Sequence, residues 1–425
     1  MKKIVSKNTN GLNGCIEIPA DKSISHRAAI FSALAKGTSI IKNFSNGADP
    51  LSSLKIMGQL GASYEFVSDN SVKITSNGSL KRPSAPLDCG NSGTTMRLIS
   101  GILAGQNFKS TLIGDESLSK RPMKRIIEPL TLMGAKISSN NFKAPINISG
   151  CKLGAIDYNS RLASAQVKSC ILLAGLHANG ETSFTEPYLS RNHTEIMLEA
   201  MGANIRTDNT TTFIQKSELK PLEINICGDI SSAAYFIVAG LIVPNSDIIL
   251  KNVGLNPTRT GIIDIIKQMG AEIEILDEYT FAGENAGDLR IRASELKACT
   301  IEKDIIPRLI DELPIIAVLA TQANGNTIVK DAQDLRNKES DRIKAIVTEL
   351  SKIGANITET EDGFIIQGKT QLSGDAEVEC YNDHRLAMSL YVAGLICQKP
   401  ITINGFEWVN ISFPTFEAHM NQLSE

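Results

Sequence analysis

Short apolar segments that end in small residues recur along the chain: FSALAKG around Ala33, GILAG at Ala104, LLAGLHANG at Ala174, FIVAG at Ala239, AVLATQANG at Ala320 and LYVAG at Ala393. The intervals run from 65 to 81 residues. A second signature follows most of them: QLGASYEF (59–66), LMGAKI (132–137), AMGANI (200–205), QMGAEI (268–273) and KIGANI (352–357). Each reads as a helix, a glycine that stops it, and a β-branched strand. One unit is therefore an apolar helix, a strand such as TSIIKNF or SDIILKNV, a second helix, and one or two more strands. Six such units point to duplication. The period is too long for a common solenoid, and strands alternating with helices predict α/β layers. The sixth unit has no MGA copy, since the sequence ends near FPTFEAHMNQLSE.

With 425 residues and 42% apolar composition, the chain can bury substantial cores in two or more domains. It has no apolar run of about eighteen residues, and no apolar segment follows the basic start MKKIVSK. A soluble protein of the cytoplasm is expected. The eight cysteines are scattered without a CxxC pair, which argues against a zinc ribbon or a disulfide scaffold and suits a reducing compartment. A net charge of −3 excludes broad attraction to nucleic acid. If the protein binds anions, it must do so with local clusters.

Such clusters stand at the starts of the units. DKSISHRAAI (21–30) puts Lys22, Ser23, Ser25, His26 and Arg27 before an apolar helix. LDCGNSGTTMRL (87–98) offers Asn91, Ser92, Gly93, Thr94 and Thr95 ahead of Arg97; this suits either phosphate or an ordinary helix cap, and it is not a Walker A loop. GDESLSKRPMKR (114–125) carries Lys120, Arg121, Lys124 and Arg125, a phosphate clamp or a solvated helix start. SRLASAQVKS (160–169) brings Ser164, Gln166 and Lys168, where capping plus a solvated lysine is the plain alternative. In IPRLIDELPIIAVLA (306–320), Asp311 and Glu312 precede Pro314 at the mouth of a helix without other charge, either balancing the helix dipole or acting as a base. DLRNKESDRIKAI (334–346) is dense enough in charge to be a salt-laced helix, and YNDHRLAMSL (381–390) puts Asp383, His384 and Arg385 at the last unit's start. Cations crowding positions where the helix dipole is already positive cost stability unless an anion is bound there.

DKSISHR, GNSGTTMRL, RPM, SAQVKS, DELPIIAV, NKESDRI and DHRLAM, in this order, resemble the 5-enolpyruvylshikimate-3-phosphate synthase family from about residue 11 to the C-terminus. SAQVK (164–168), RNHTE (191–195), GDISS (228–232) and NPTR (256–259) resemble its class II, the form often less sensitive to glyphosate. The resemblance implies the two-domain enolpyruvyl transferase fold, an inside-out α/β barrel with six βαβαββ-type repeats, three per domain. One domain would span 21–226, mainly on the shikimate 3-phosphate side. The other would be 1–20 plus 227–425, contributing acid/base and phosphoenolpyruvate-binding groups, with the active site where the two meet and the two crossovers as hinge. It implies shikimate 3-phosphate binding by Lys22, Ser23, Arg27, Ser164, Ala165, Gln166, Arg191, Asp311 and Lys338. For phosphoenolpyruvate it implies Lys22, Asn91, Gly93, Arg121, Gln166, Lys338, Arg342 and Arg385. Ala165 stands where some members have a second Ser. Two departures follow: Asp334 replaces an Asn that contacts shikimate, and Ile411 stands where class I enzymes carry a substrate-binding Lys. The second gives Arg121 and Lys338 more of the phosphate to hold.

The implied reaction joins the shikimate 5-hydroxyl to C2 of phosphoenolpyruvate through a tetrahedral intermediate and expels phosphate, without metal or organic cofactor. Asp311 is expected as base, Glu339 as the proton donor to the methylene carbon, and Lys22 as a third catalytic group. The expected partners are the two small-molecule substrates, with no nucleic acid and no membrane, and the expected state is a monomer. The UDP-N-acetylglucosamine enolpyruvyl transferases share the fold, but usually place a reactive Cys where Glu116 lies here and begin with Lys-Asn instead of Lys22-Ser23. A catalytically silent anion-binding protein on the same fold is the reading from another class.

Overall fold

The five glycines of the MGA-type signatures carry the local geometry that the repeat predicts. Gly61, Gly134, Gly202, Gly270 and Gly354 all adopt positive φ, between 85° and 113°. Each follows a helix (Ala48–Gln59, Lys124–Leu132, His193–Ala200, Gly261–Gln268, Arg342–Lys352) and precedes a strand (Ser63–Ser68, Lys136–Asn140, Ile205–Asp208, Ile273–Phe281, Asn356–Glu359). A side chain is strained in that region of backbone space, so glycine ends the helix there.

A computed structural model describes residues 1–425 and divides the chain into two compact units. One comprises Met1–Pro19, Cys227–Tyr279 and Asn285–Glu425; the other comprises Ala20–Ile226 and Thr280–Glu284. The grouping of Thr280–Glu284 with the second unit is absent from the sequence expectation. It is the tip of the hairpin formed by Ile273–Phe281 and Glu284–Arg292, and a partner distant in sequence, His193, whose Nδ1 lies 2.6 Å from Glu284 Oε1, ties it there.

There are six sheets, one per repeat. In the unit built on 20–226, Leu87–Asp88 runs parallel to Lys109–Ile113, which pairs antiparallel with Lys143–Ser149 and through it with Lys136–Asn140. The helix Gly93–Ala104 connects the parallel pair. Asp157–Asn159 and Glu181–Thr185, joined by the helix Ala165–Gly175, repeat the pattern. The other two closures use strands remote in sequence. Glu223–Asn225 supplies the parallel partner of Lys36–Lys42, and Asn13–Glu17 that of Asp247–Gly254. Strand Lys2–Val5 pairs antiparallel with Ile401–Asn404, so the sixth sheet takes its third strand from the start of the chain. That pairing stands in for the missing MGA hairpin.

The first helix of each repeat is apolar on nearly every side. All residues of Leu313–Ala320 and His384–Gly394 are buried, and so is almost all of Ile230–Ile242. An all-round apolar helix is stable only inside a core. It therefore presents just its first turn outside that core, and the ionisable residues sit there. The stretch 334–346 is not one salt-laced helix: Gln333–Asn337 is a 3-10 turn, and the α-helix begins at Arg342, capped by Asp341.

Candidate functional site

Each unit carries its own cluster of polar side chains at helix starts. In the unit built on 20–226, Asp21 caps Lys22–Leu34 by accepting from Ile24 N at 2.8 Å. Lys22, next in the chain, reaches Asp49 Oδ2 at 3.1 Å. Asp49 lies in the first turn of Ala48–Gln59 and escaped the sequence reading. Ser23 is half-buried, and its carbonyl accepts from Arg27 Nη1 at 2.9 Å. Arg27 is only 2% exposed, with Nε donating to Thr194 Oγ1 at 2.7 Å and Nη2 to Ser169 Oγ at 2.8 Å. Burial pulls its pKa down to about 10, with Glu195 and Asp21 opposing. Three of its five N–H groups thus hold the protein together.

Around Gly93 two guanidinium groups converge. Ser92 caps Gly93–Ala104 by accepting from Thr95 N at 3.1 Å. A Cβ at Gly93 would lie 2.7 Å from Arg97 Nη1 and 3.6 Å from Arg121 Nη1. Arg121 Nη2 donates to Asn91 Oδ1 at 2.9 Å, and Asn91 Nδ2 donates to Asp115 Oδ2 at 2.7 Å. Gln166 accepts from Arg97 and donates to Thr94 Oγ1 at 2.9 Å. Arg97 was not among the expected site residues, although its place four residues after Gly93 on one helix face was a usable signal. Lys120, Lys124 and Arg125 are exposed, with Lys120 paired to Glu116 at 2.6 Å and Lys124 to Glu128 at 3.4 Å. From that basic run, Arg121 turns to Asn91.

The stretch 164–168 departs from the plain alternative. Ser164 stands at the cap of Ala165–Gly175, yet its side chain makes no capping bond. Lys168 is fully buried rather than solvated. Ser164, Ala165, Gln166 and Arg191 are all half-buried.

In the other unit, Asp311 is surrounded by cations: Lys338 Nζ at 3.4 Å, Arg342 Nη1 at 3.3 Å and Arg385 Nη2 at 3.6 Å. Arg385 Nη1 also donates to the Asp311 carbonyl at 3.2 Å. Arg342 is the hub. Its side chain is 1% exposed, with Nη2 2.6 Å from Glu339 Oε2 and Nε 2.7 Å from Asp383 Oδ2. Burial disfavours its charge, but the carboxylates of Asp383, Glu339 and Asp311 outweigh that and raise its pKa. Asp383 is buried as well; burial pushes its pKa up, and Arg342 brings it below the usual value. Asp383 also caps His384–Gly394 through Arg385 N at 2.9 Å, which sets Arg385 in the first turn. Asp334 and Ile411 are half-buried in the 3-10 turns Gln333–Asn337 and Phe406–Ile411. No group of three or more His, Cys, Asp or Glu side chains is arranged to hold a metal ion.

The chain thus gathers cationic and N–H donors at helix starts in both units and, in one, carboxylates paired with them. Comparison with known proteins gives the family. Residues 6–420 match the family described as EPSP synthase (3-phosphoshikimate 1-carboxyvinyltransferase). The chain is 51% identical to the 3-phosphoshikimate 1-carboxyvinyltransferase of Bacillus licheniformis over 420 residues, 98% of each chain. It is 52% identical to that of Bacillus subtilis over 419 residues, 97% of this chain and 98% of the other. The EPSP synthase structure from Acinetobacter baumannii superposes with a TM-score of 0.89 at 43% identity, covering 99% of this chain and 98% of that one. The enolpyruvyl transferase NikO from Streptomyces tendae, at 15% identity and a TM-score of 0.80 over 99% and 97% of the two chains, shares the fold. The architecture is the two-domain enolpyruvyl transferase fold, and the chain belongs to the EPSP synthase (3-phosphoshikimate 1-carboxyvinyltransferase) family.

Proposed function

We propose that this protein transfers the enolpyruvyl group of phosphoenolpyruvate to the 5-hydroxyl of shikimate 3-phosphate, giving 5-enolpyruvylshikimate 3-phosphate and phosphate. The observation that carries the reading is the Asp311 cluster, in which one carboxylate meets Lys338, Arg342 and Arg385 while Glu339 shares Arg342. Lys338, Arg342 and Arg385 are balanced by Asp311, Glu339 and Asp383, so in this reading they bind the phosphate and carboxylate of a substrate by exchanging part of that pairing for it. In the addition step the 5-oxygen bonds to C2, its proton passes to Asp311, and Glu339 delivers a proton to C3. The tetrahedral adduct then returns a proton from its methyl group as the C2–phosphate oxygen bond breaks. Lys22, which pairs with Asp49, is assigned as the third catalytic group, sharing the proton transfers of Asp311 and Glu339.

Shikimate 3-phosphate is assigned to Lys22, Ser23, Arg27, Ser164, Ala165, Gln166 and Arg191, with Asp311 and Lys338. Phosphoenolpyruvate is assigned to Lys22, Asn91, Gly93, Arg121, Gln166, Lys338, Arg342 and Arg385. The domain limits 21–226 and 1–20 plus 227–425 go with this assignment, since turnover then needs residues of both. The class II features, a monomeric state and a cytoplasmic location belong to the same reading; sedimentation velocity showing a dimer would remove the monomer.

Phosphate release from phosphoenolpyruvate tests the reaction. Release is expected with shikimate 3-phosphate and not with UDP-N-acetylglucosamine or with phosphoenolpyruvate alone; any other pattern overturns it. Glu339→Gln is expected to cut turnover about 100-fold or more, the usual scale for a general acid or base. Its affinity for shikimate 3-phosphate should stay within severalfold, and near-normal turnover would remove Glu339 from the mechanism.

A further inference from the structure

Lys168 has no role in the reaction above, yet it is among the most enclosed charges in the protein. Its side chain is 1% exposed, with Nζ 2.8 Å from Glu186 Oε1 and 2.7 Å from Glu195 Oε1. The two glutamate side chains are 1% and 9% exposed. One ammonium therefore faces two buried carboxylates, and Oε2 of each glutamate has no hydrogen-bond partner. Burial disfavours the lysine charge, but Glu195 and Glu186 more than offset this and raise its pKa. A buried cluster with one surplus negative charge is an expensive way to gain stability alone.

Its connections suggest what it does instead. Lys168 Nζ also donates to the carbonyl of Ser190 at 3.2 Å, and Glu186 Oε1 accepts from Ser190 N at 2.9 Å. Both backbone groups of Ser190 are thus held by the cluster, and Arg191 is the next residue. Lys168 itself lies in the first turn of Ala165–Gly175, one turn after Ser164. Glu195 lies in the first turn of His193–Ala200. A second rung stands beside the first: Ser169 Oγ and Thr194 Oγ1 are 2.6 Å apart, and Arg27 donates to both. The surplus charge of Glu195 also acts on Arg27.

We propose that Lys168, with Glu186 and Glu195, is a positioning device for the shikimate 3-phosphate subsite, fixing the Arg191 segment against Ser164, Ala165 and Gln166. This rests on the assignment of those residues to shikimate 3-phosphate. Misplacement of a ligand-clamping segment by about an ångström costs up to about 100-fold, so removing the clamp should act on one substrate far more than on the other.

Lys168→Met and the double variant Lys168→Met/Glu195→Gln separate positioning from charge balance, because the double variant has the net charge of the native cluster but lacks the clamp. Melting temperature, the calorimetric Kd for shikimate 3-phosphate, and kcat and KM for both substrates are measured on the full chain. The expected result is a lowered melting temperature in Lys168→Met, largely recovered in the double variant. Affinity for shikimate 3-phosphate stays about 10- to 100-fold weaker in the double variant, while KM for phosphoenolpyruvate stays within about twofold. A double variant with native affinity for shikimate 3-phosphate overturns the positioning role, and so does a parallel rise of both KM values. If Lys168→Met does not fold, the double variant decides alone. Wild-type protein that fails to bind shikimate 3-phosphate overturns the functional reading and this one together; wild-type binding with unchanged variants overturns only this one.

Discussion

Single residues set the two sharpest constraints on the site. A methyl group at Gly93 would meet Arg97 Nη1 at 2.7 Å and approach Arg121 Nη1 at 3.6 Å. The first contact is with the far end of a flexible side chain, so Gly93→Ala is expected to fold and to turn the Arg97 guanidinium away from Gln166. With Gly93 native, glyphosate is expected to compete with phosphoenolpyruvate. In Gly93→Ala the inhibition constant for glyphosate should rise more than KM for phosphoenolpyruvate; equal shifts would show that the methyl group does not discriminate. His26 imposes a pH dependence of another kind. It is wholly buried, its Nδ1 is 2.8 Å from Ser53 Oγ, and its Nε2 has no partner. Burial lowers its pKa to about 3, with Lys22 and Arg27 adding to the effect and Asp49 opposing. An unfolded chain binds a proton at this residue near pH 6.5 whereas the folded one does not, so stability falls as pH drops from about 6.5 toward 3, by up to about 1.4 kcal/mol per pH unit. His26→Asn keeps a group for Ser53 and should lose less melting temperature between pH 7 and pH 5; an unchanged slope would assign the acid limb to other groups. The presence of Lys22, Arg27 and Gly93 near helix starts was legible in sequence. The inward turn of Arg27 and the burial of Lys168 were not, because exposure depends on what packs over a side chain.

Elements were legible where the signal lies within a few residues. The glycine stops and the Ser92 cap each act over one turn; the caps at Asp21, Asp229, Asp341 and Asp383, each accepting from a backbone N–H of its own helix, emerged only in the fold. The 334–346 stretch misled because its charges suit a helix, while in the fold Arg336 is occupied by Asp341 at 3.0 Å and Glu359 at 2.8 Å. Asp383 shows one residue serving both levels: it caps a helix through Arg385 N and pairs with Arg342 from the neighbouring helix. Asp383→Asn can still cap, since Asn ranks with Asp at that position, but it leaves Arg342 without one of its carboxylates. Breaking a buried pair costs about 3–5 kcal/mol when no partner remains, and here Asp311 and Glu339 remain. Urea unfolding of Asp383→Asn should therefore show a loss near or below the lower end of that range, together with reduced turnover. A loss within about 0.5 kcal/mol of zero, the scale of ordinary surface changes, would mean that Arg342 is held by the other two alone.

For the whole molecule, the three sheets formed by residues 20–226 are complete within that span, including the closure by Glu223–Asn225. A fragment 20–226 is expected to melt cooperatively, at lower temperature than the full chain because His193 loses Glu284. It should bind shikimate 3-phosphate by calorimetry and release no phosphate from phosphoenolpyruvate; a fragment without a cooperative transition would show that this unit does not fold alone. The number of repeats, their helix and strand order, their glycine turns and the motifs that carry the family likeness can all be read in the order of the residues. Periodicity, capping and left-handed glycines act between residues a few positions apart, so one chain read in order contains them. The tertiary structure alone decided which strand closes which sheet, as with Lys2–Val5 on Ile401–Asn404. It also decided which ions are buried together, as with Asp311, Glu339 and Asp383 on Arg342. Hydrogen-bonded register and desolvation are properties of groups brought together from distant positions, and no local pattern encodes the cost or gain of that meeting.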